Sequence, residues 1–137
     1  MALYQLLLNK IFLAGIITWV FVQLLKFTIE CVKARSFKWE TLVSPGGMPS
    51  SHTASMVAIS AMIYFLEGIS STFVLAIAIT AVIMYDSLTL RKQVGIITKK
   101  LNLESRKKIR DFSGHTGLQV LIGFIIGIAI AYLIKWI

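Results

Sequence analysis

The chain lacks the residues that several common kinds of site require. Its single cysteine, Cys31, cannot form an intrachain disulfide and leaves no cysteine cluster for a metal, so redox chemistry is not expected. Low-complexity segments are absent, and so is an inverted repeat of the kind found in transporters. Chemistry must therefore come from a few polar side chains in an otherwise apolar chain.

Charged residues are scarce as well, at 15% of 137 residues, whereas apolar residues make up 57% and the mean hydropathy is +0.81. Such a composition excludes a soluble surface and predicts an integral protein of the cell membrane. The first apolar segment is too long for a cleavable signal peptide, so we expect it to be retained. We predict one transmembrane domain, residues 1–137.

Four apolar runs predict an all-α, polytopic fold with about four transmembrane helices. They cover residues 6–32, 51–66, 72–90 and 117–137. A span needs about 20 residues, so the second run is short. The break at residues 67–71 fits only a tight turn, which makes the second and third helices an antiparallel hairpin.

Basic residues cluster on one face of this hairpin. Of the 14 Lys and Arg residues, eleven fall within residues 33–38 and 91–110. The positive-inside rule makes this face cytoplasmic, including the basic loop between helices three and four, and puts both termini outside. In a chain this apolar, the net charge of +8 favours contact with anionic membrane lipids and not with nucleic acid.

The most distinctive stretch is Gly46-Gly47-Met48-Pro49-Ser50-Ser51-His52-Thr53, just before the second run. The free amides and positive dipole of a helix start, together with the hydroxyls of Ser50 and Ser51, suit a phosphate. The glycines, Gly47 among them, permit unusual backbone conformations. An ordinary helix N-cap would have the same composition.

Two further runs contain isolated ionisable residues. Lys26 precedes Glu30 by one helical turn, so the two could form a simple salt bridge with the lysine reaching towards the interface. Ionisable groups at membrane depth otherwise tend to face a cavity and mark function. Asp86 is the single acid of the third run, and Arg91 is its nearest partner in sequence.

Both histidines, His52 and His115, start an apolar helix and follow Gly and Ser residues. Two imidazoles near several cations and hydroxyls suit phosphoryl transfer without a metal, in which one imidazole attacks phosphorus and the other protonates the leaving oxygen. A metal held by both histidines and Asp86 is the competing interpretation. No His-x-x-x-His or Glu-x-x-His spacing supports it, so we expect no metal and no cofactor.

The last run carries small residues four apart, Gly123, Gly127 and Ala131. Such a stripe lets another helix approach closely. It predicts packing within the subunit or a homodimer formed through these residues.

Three blocks resemble the signatures of one family. They are residues 46–52, Tyr85-Asp86-Ser87 leading to Arg91, and Gly114-His115-Thr116, and the match extends to Gln23-Leu24-Leu25-Lys26. Together they look like the divergent branch of the type 2 phosphatidic acid phosphatase family, which is related to bacterial acid phosphatases and vanadium haloperoxidases.

The resemblance implies a metal-independent phosphohydrolase that acts through a phosphohistidine. Its substrate would be a lipid phosphate or pyrophosphate of the phosphatidate, phosphatidylglycerol phosphate or polyprenyl pyrophosphate type. His115 would match the nucleophile and His52 the general acid. The phosphate would be held by Lys26, Gly47, Ser50, Ser51 and Arg91.

The chain departs from the family pattern at three places. Ser51 occupies a glycine position of the main family, and Lys26 lacks the Arg-Pro pair that follows there. Gln119 stands where an acid orients the nucleophilic histidine; a glutamine can fix the ring but cannot stabilise an imidazolium. Asp86 could supply that charge. Otherwise the chain would be a weakened relative that binds or moves a lipid phosphate, a structural membrane subunit, or a small anion transporter.

Overall fold

The computed structural model describes residues 2–37, 47–104 and 116–137 and contains six helices in that part of the chain. They are α1 (Ala2–Leu7), α2 (Lys10–Ala34), α3 (Ser51–Glu67), α4 (Ser71–Leu88), α5 (Leu90–Glu104) and α6 (Gly117–Lys135). No strand occurs among these residues. The all-α prediction is confirmed.

The first apolar run is not one helix, as predicted, but two. Asn9 separates α1 from α2, because its side-chain oxygen accepts hydrogen bonds from the amides of Ile11 at 2.9 Å and Phe12 at 3.1 Å. An asparagine that binds amides ahead of it caps a new helix instead of continuing the old one. At the other end, Arg35 adopts a left-handed conformation (φ 47°) and closes α2.

The predicted hairpin is formed by α3 and α4. Gly68 ends α3 with φ 68°, a conformation that favours glycine, and the side chain of Ser70 accepts the amide of Phe73 to start α4. Halfway along the pair, the hydroxyls of Ser60 and Thr80 hydrogen-bond at 2.9 Å. The two helices are therefore antiparallel neighbours.

Among the described residues, three helical stretches are long and apolar enough to cross a membrane: Lys10–Ala34, Ser71–Thr98 and Gly117–Lys135. The chain is an integral membrane protein. With 17 residues, α3 is shorter than these three, so a total of four spanning helices stays a prediction.

The central helix of the bundle is α3, which contacts α2, α4 and α6. The end of the bundle where α2 stops and α3 and α6 begin is called the basic end, because Lys33, Arg35 and Lys92 lie near it. At the opposite end, Lys10 Nζ donates to the carbonyl of Lys135 at 3.2 Å. The starts of α3 and α6 are thus brought to the same end.

The small-residue stripe of α6 packs against α3 within the chain. A Cβ atom on Gly123 would lie 2.7 Å from the carbonyl oxygen of Ser50, and one on Gly127 would lie 2.5 Å from that of Ala54. Ala131 is fully buried in the same helix. The stripe therefore serves subunit packing; a homodimer stays a prediction, and another face would have to form it.

Candidate active site

Lys26 is the most unusual residue of the structure. Its side chain is 1% exposed inside the bundle, and Nζ donates a hydrogen bond to Ser51 Oγ at 3.1 Å. Glu30, the expected salt-bridge partner, instead pairs with Lys33 at 3.9 Å on the surface. No carboxylate in the described part of the chain pairs with Lys26. The ammonium of Lys26 in α2 is therefore buried next to the start of α3, and its partner among the described residues is the hydroxyl of Ser51.

Two other residues of the same motif support this contact. Gly47 has φ 91°, and a Cβ atom placed there would lie 4.0 Å from Lys26 Cδ, so the glycine runs against the lysine's aliphatic chain. Ser50 is buried and caps α3, accepting from the amide of Thr53 at 3.4 Å and from its hydroxyl at 3.0 Å. The ordinary N-cap role predicted as an alternative is therefore real for Ser50.

The start of α6 is attached to the start of α3. The amide of Ser50 donates to the carbonyl of Gln119 at 3.1 Å. His115 lies outside the described residues, and the described chain resumes at Thr116, the next residue. His115 therefore comes just before α6 in the sequence, and α6 contacts the start of α3, where His52 lies.

Gln119 has a local structural role. Its side-chain Oε1 accepts a hydrogen bond from the backbone amide of Thr116 at 3.0 Å, and its backbone amide donates to the hydroxyl of Thr116 at 3.4 Å. This reciprocal pair is a capping box at the start of α6. The predicted role of Gln119 in orienting His115 stays a prediction.

His52 and Asp86 lie on one side of the α3–α4 pair. The other side forms a groove about 390 Å³ in volume that opens between α4 and α6. Its lining includes Val57, Ala61 and Tyr64 of α3 and Ile77, Ala81 and Met84 of α4. At about 100° per residue, His52 lies roughly 120–180° around α3 from the first three, and Asp86 lies roughly 140–180° around α4 from the last three. Both residues therefore face away from that groove.

His52 is more exposed than Asp86. His52 is exposed at the second position of α3, while Asp86 is half-buried near the end of α4. Arg91 belongs to the first turn of α5, and its side chain is outside the described part, as is the whole of Gly46. Within the described ranges, no group of three or more His, Cys, Asp and Glu residues is close enough to hold a metal ion.

Two polar residues in or next to the motif have no role assigned from the sequence. Thr53 is fully buried and bonds Ser50, and the hydroxyl of Ser55 is buried one helical turn beyond Ser51. Their spacing, one and three residues after His52, was the available signal. The run that contains them has the composition of a membrane-spanning helix, so two hydroxyl side chains within it do not indicate a site.

The chain is similar to a protein family and to a bacterial membrane protein. The family described as "Divergent PAP2 family" matches residues 7–130. The uncharacterized membrane protein YuiD of Bacillus subtilis (strain 168) is 28% identical over 154 aligned positions, covering 96% of this chain and 98% of YuiD. No solved structure gives a significant match.

Proposed function

The chain belongs to the divergent PAP2 family, and from that premise we propose that it is a membrane-embedded phosphohydrolase acting on a lipid phosphate or lipid pyrophosphate. The observation that carries the proposal is the burial of Lys26, which belongs to α2 and contacts Ser51 at the start of α3. A buried cation that pairs with no carboxylate among the described residues is costly, and a phosphate next to Ser51 and the first amides of α3 would offset that cost.

The proposed reaction has two steps. The imidazole of His115 attacks phosphorus, the bond to the leaving oxygen breaks, and His52 gives that oxygen a proton. Water, deprotonated by His52, then attacks the phosphohistidine and releases inorganic phosphate and free His115. No metal takes part in either step.

Charge grows on the equatorial phosphate oxygens in each transition state. Lys26, Ser51 and the amides at the start of α3 would hold these oxygens together with Arg91. Asp86, on the same side of the α3–α4 pair as His52, would supply the negative charge that Gln119 cannot. The proposal places the site at the cytoplasmic membrane surface, in line with the basic residues at this end.

The capping box of Gln119 favours a second candidate function. Because Oε1 of this residue accepts the amide of Thr116, Gln119 has a capping role that requires no catalysis. A chain that binds a lipid phosphate and hydrolyses it slowly, or that only transfers or retains it, would keep Lys26 and Ser51 and tolerate an amide at position 119.

One experiment separates the two candidates. Purified protein in detergent is incubated with phosphatidate, phosphatidylglycerol phosphate and a polyprenyl pyrophosphate, and inorganic phosphate is measured alongside His52→Ala and His115→Ala. Release that both substitutions abolish supports the hydrolase. Release that neither substitution changes overturns it, and binding of the lipid without release supports the weakened relative.

A further inference from the structure

A second groove lies on the side of α3 that carries His52. It runs between α2 and α3, has a volume of about 780 Å³ and is lined among others by Phe12, Gly15, Ile16, Trp19, Ser55 and Ile59. This volume falls within the range of small-molecule sites, and nearly all of the lining is apolar. Trp19, 48% exposed, forms part of its open wall.

The groove leads to the candidate site along both helices. On α3, Ile59 and Ser55 follow His52 by seven and three residues, so the three share one face. On α2, the face of Ile16 and Trp19 continues at the same spacing to Gln23 and Lys26. A molecule whose phosphate met Lys26 would therefore have its remainder in this groove.

Ser55 gives the groove a chemical preference. Its hydroxyl oxygen is buried and has no hydrogen-bond partner among the described residues. It lies four residues, about 6 Å along the helix axis, from Ser51. An unsatisfied hydroxyl in hydrocarbon surroundings is unfavourable, so an acceptor that a ligand places there would be bound in preference to a hydrocarbon.

We propose that this groove holds the tail of the lipid phosphate and that the hydroxyl of Ser55, turned towards the groove, donates a hydrogen bond to a carboxylic ester oxygen of the glycerol backbone. The proposal rests on the function proposed above and narrows its substrate class. A glycerolipid phosphate carries ester oxygens a few bonds from phosphorus, whereas a polyprenyl phosphate continues as hydrocarbon. Ser55 thus selects glycerolipid phosphates.

The groove between α4 and α6 lacks these properties. The hydroxyl of Ser60, which lines it, is hydrogen-bonded to Thr80, and Thr80 also donates to the carbonyl of Ala76 at 2.8 Å. Its α3 lining faces away from His52. The hydroxyl of Ser60 is therefore already satisfied within the chain, and Ser60 offers a matched control for Ser55.

The first arm of the test measures selectivity. The ratio of kcat/KM for dioleoyl phosphatidate to that for a polyprenyl monophosphate is determined for the natural chain, Ser55→Ala and Ser60→Ala. We expect Ser55→Ala to lower the ratio about threefold to tenfold, the effect of one hydrogen bond, and Ser60→Ala to leave it unchanged. An unchanged ratio in Ser55→Ala, or an equal fall in both variants, overturns the role of Ser55.

The second arm locates the tail without using activity. Trp39→Phe and Trp136→Phe leave Trp19 as the single tryptophan, whose fluorescence is quenched by lipids with spin-labelled acyl chains. Labelled phosphatidate should quench more strongly than labelled phosphatidylcholine at the same mole fraction, and Lys26→Met should remove the difference. Equal quenching by the two lipids overturns the groove assignment.

The two arms also separate this proposal from the hydrolase proposal. If no lipid phosphate is hydrolysed, the hydrolase proposal fails, while the quenching measurement still decides whether a phosphate-bearing lipid occupies the groove. If hydrolysis is observed and quenching is equal, the hydrolase proposal stands and the groove assignment fails.

Discussion

Lys26 and Ser51 are joined by a buried hydrogen bond of 3.1 Å that links α2 to the first turn of α3. The contact brings a cation and a hydroxyl together at a helix start, where the helix dipole favours an anion. A phosphate would complete this arrangement. The first prediction follows from this pair.

Replacing Lys26 by methionine should separate activity from stability. The substitution keeps the length of the side chain and removes a charge that stabilises the transition state, so kcat/KM with a lipid phosphate should fall about 10²- to 10³-fold. Thermal stability in detergent should be unchanged or higher, because removing a buried charge that pairs with no carboxylate in the described part of the chain relieves its desolvation cost.

The matched control is Lys33→Met. Lys33 is 65% exposed and pairs with Glu30 on the surface, so its replacement should change neither activity nor stability appreciably. Equal losses of activity in both variants would mean that Lys26 contributes only to the general basic character of this end.

The two histidines should differ when the phosphoenzyme is trapped. Brief incubation with a ³²P-labelled lipid phosphate followed by alkaline quench should label the natural chain, and His115→Ala should abolish the label. With His52→Ala, the loss of rate should be smaller for p-nitrophenyl phosphate than for a lipid phosphate, because p-nitrophenolate leaves without protonation. Label that persists in His115→Ala would exclude this residue as the nucleophile.

The charge missing at position 119 makes Gln119→Glu informative. Glutamate can keep the capping box with Thr116 while adding a carboxylate, so α6 should remain intact. If Asp86 supplies the charge in the natural chain, Asp86→Asn should lower turnover by at least tenfold, and Gln119→Glu in that background should restore part of it. Turnover untouched by Asp86→Asn would remove Asp86 from the mechanism.

Close packing of α6 against α3 predicts opposite effects for two glycines. Gly127→Ala would bring Cβ to 2.5 Å from a backbone oxygen and should cost about 1–3 kcal/mol of stability. Gly117→Ala meets nothing within 4 Å and should be neutral or slightly stabilising. Thermal unfolding in detergent compares them; equal midpoints would show that the helices lie farther apart.

A metal-independent reaction should survive chelation. Phosphate release from protein dialysed against EDTA should equal that of untreated protein, and Mg²⁺ or Zn²⁺ should not raise it. Loss of activity on dialysis, restored by one of these ions, would contradict the phosphohistidine mechanism proposed above.

Local signals made much of the fold predictable. Long apolar runs define α2, α4 and α6, and the glycine and serines at residues 68–71 define the hairpin turn, because each signal lies within the element that it specifies. The separation of α1 from α2 was missed, since a single Asn9 within an apolar stretch ends one helix only when its side chain caps the next.

Contacts between distant residues were less predictable. The sequence predicts Glu30 as the partner of Lys26, but in the structure Lys26 donates a hydrogen bond to Ser51, 25 positions away. The close approach at Gly123 and Gly127 makes α3 the central helix, and spacing alone did not say whether the stripe served the subunit or a second copy. Such outcomes depend on which helices pack together, which periodicity within one helix does not encode.

The burial of Lys26 also has a consequence for biosynthesis. The lysine belongs to α2, whereas Ser51 and the rest of its enclosure belong to helices that are synthesised later. During insertion, α2 must therefore enter the bilayer with an unshielded ammonium, which can reach the headgroups only from near the helix end. The arrival of α3 withdraws this charge from the lipid, so the contact between Lys26 and Ser51 forms together with the insertion of α3.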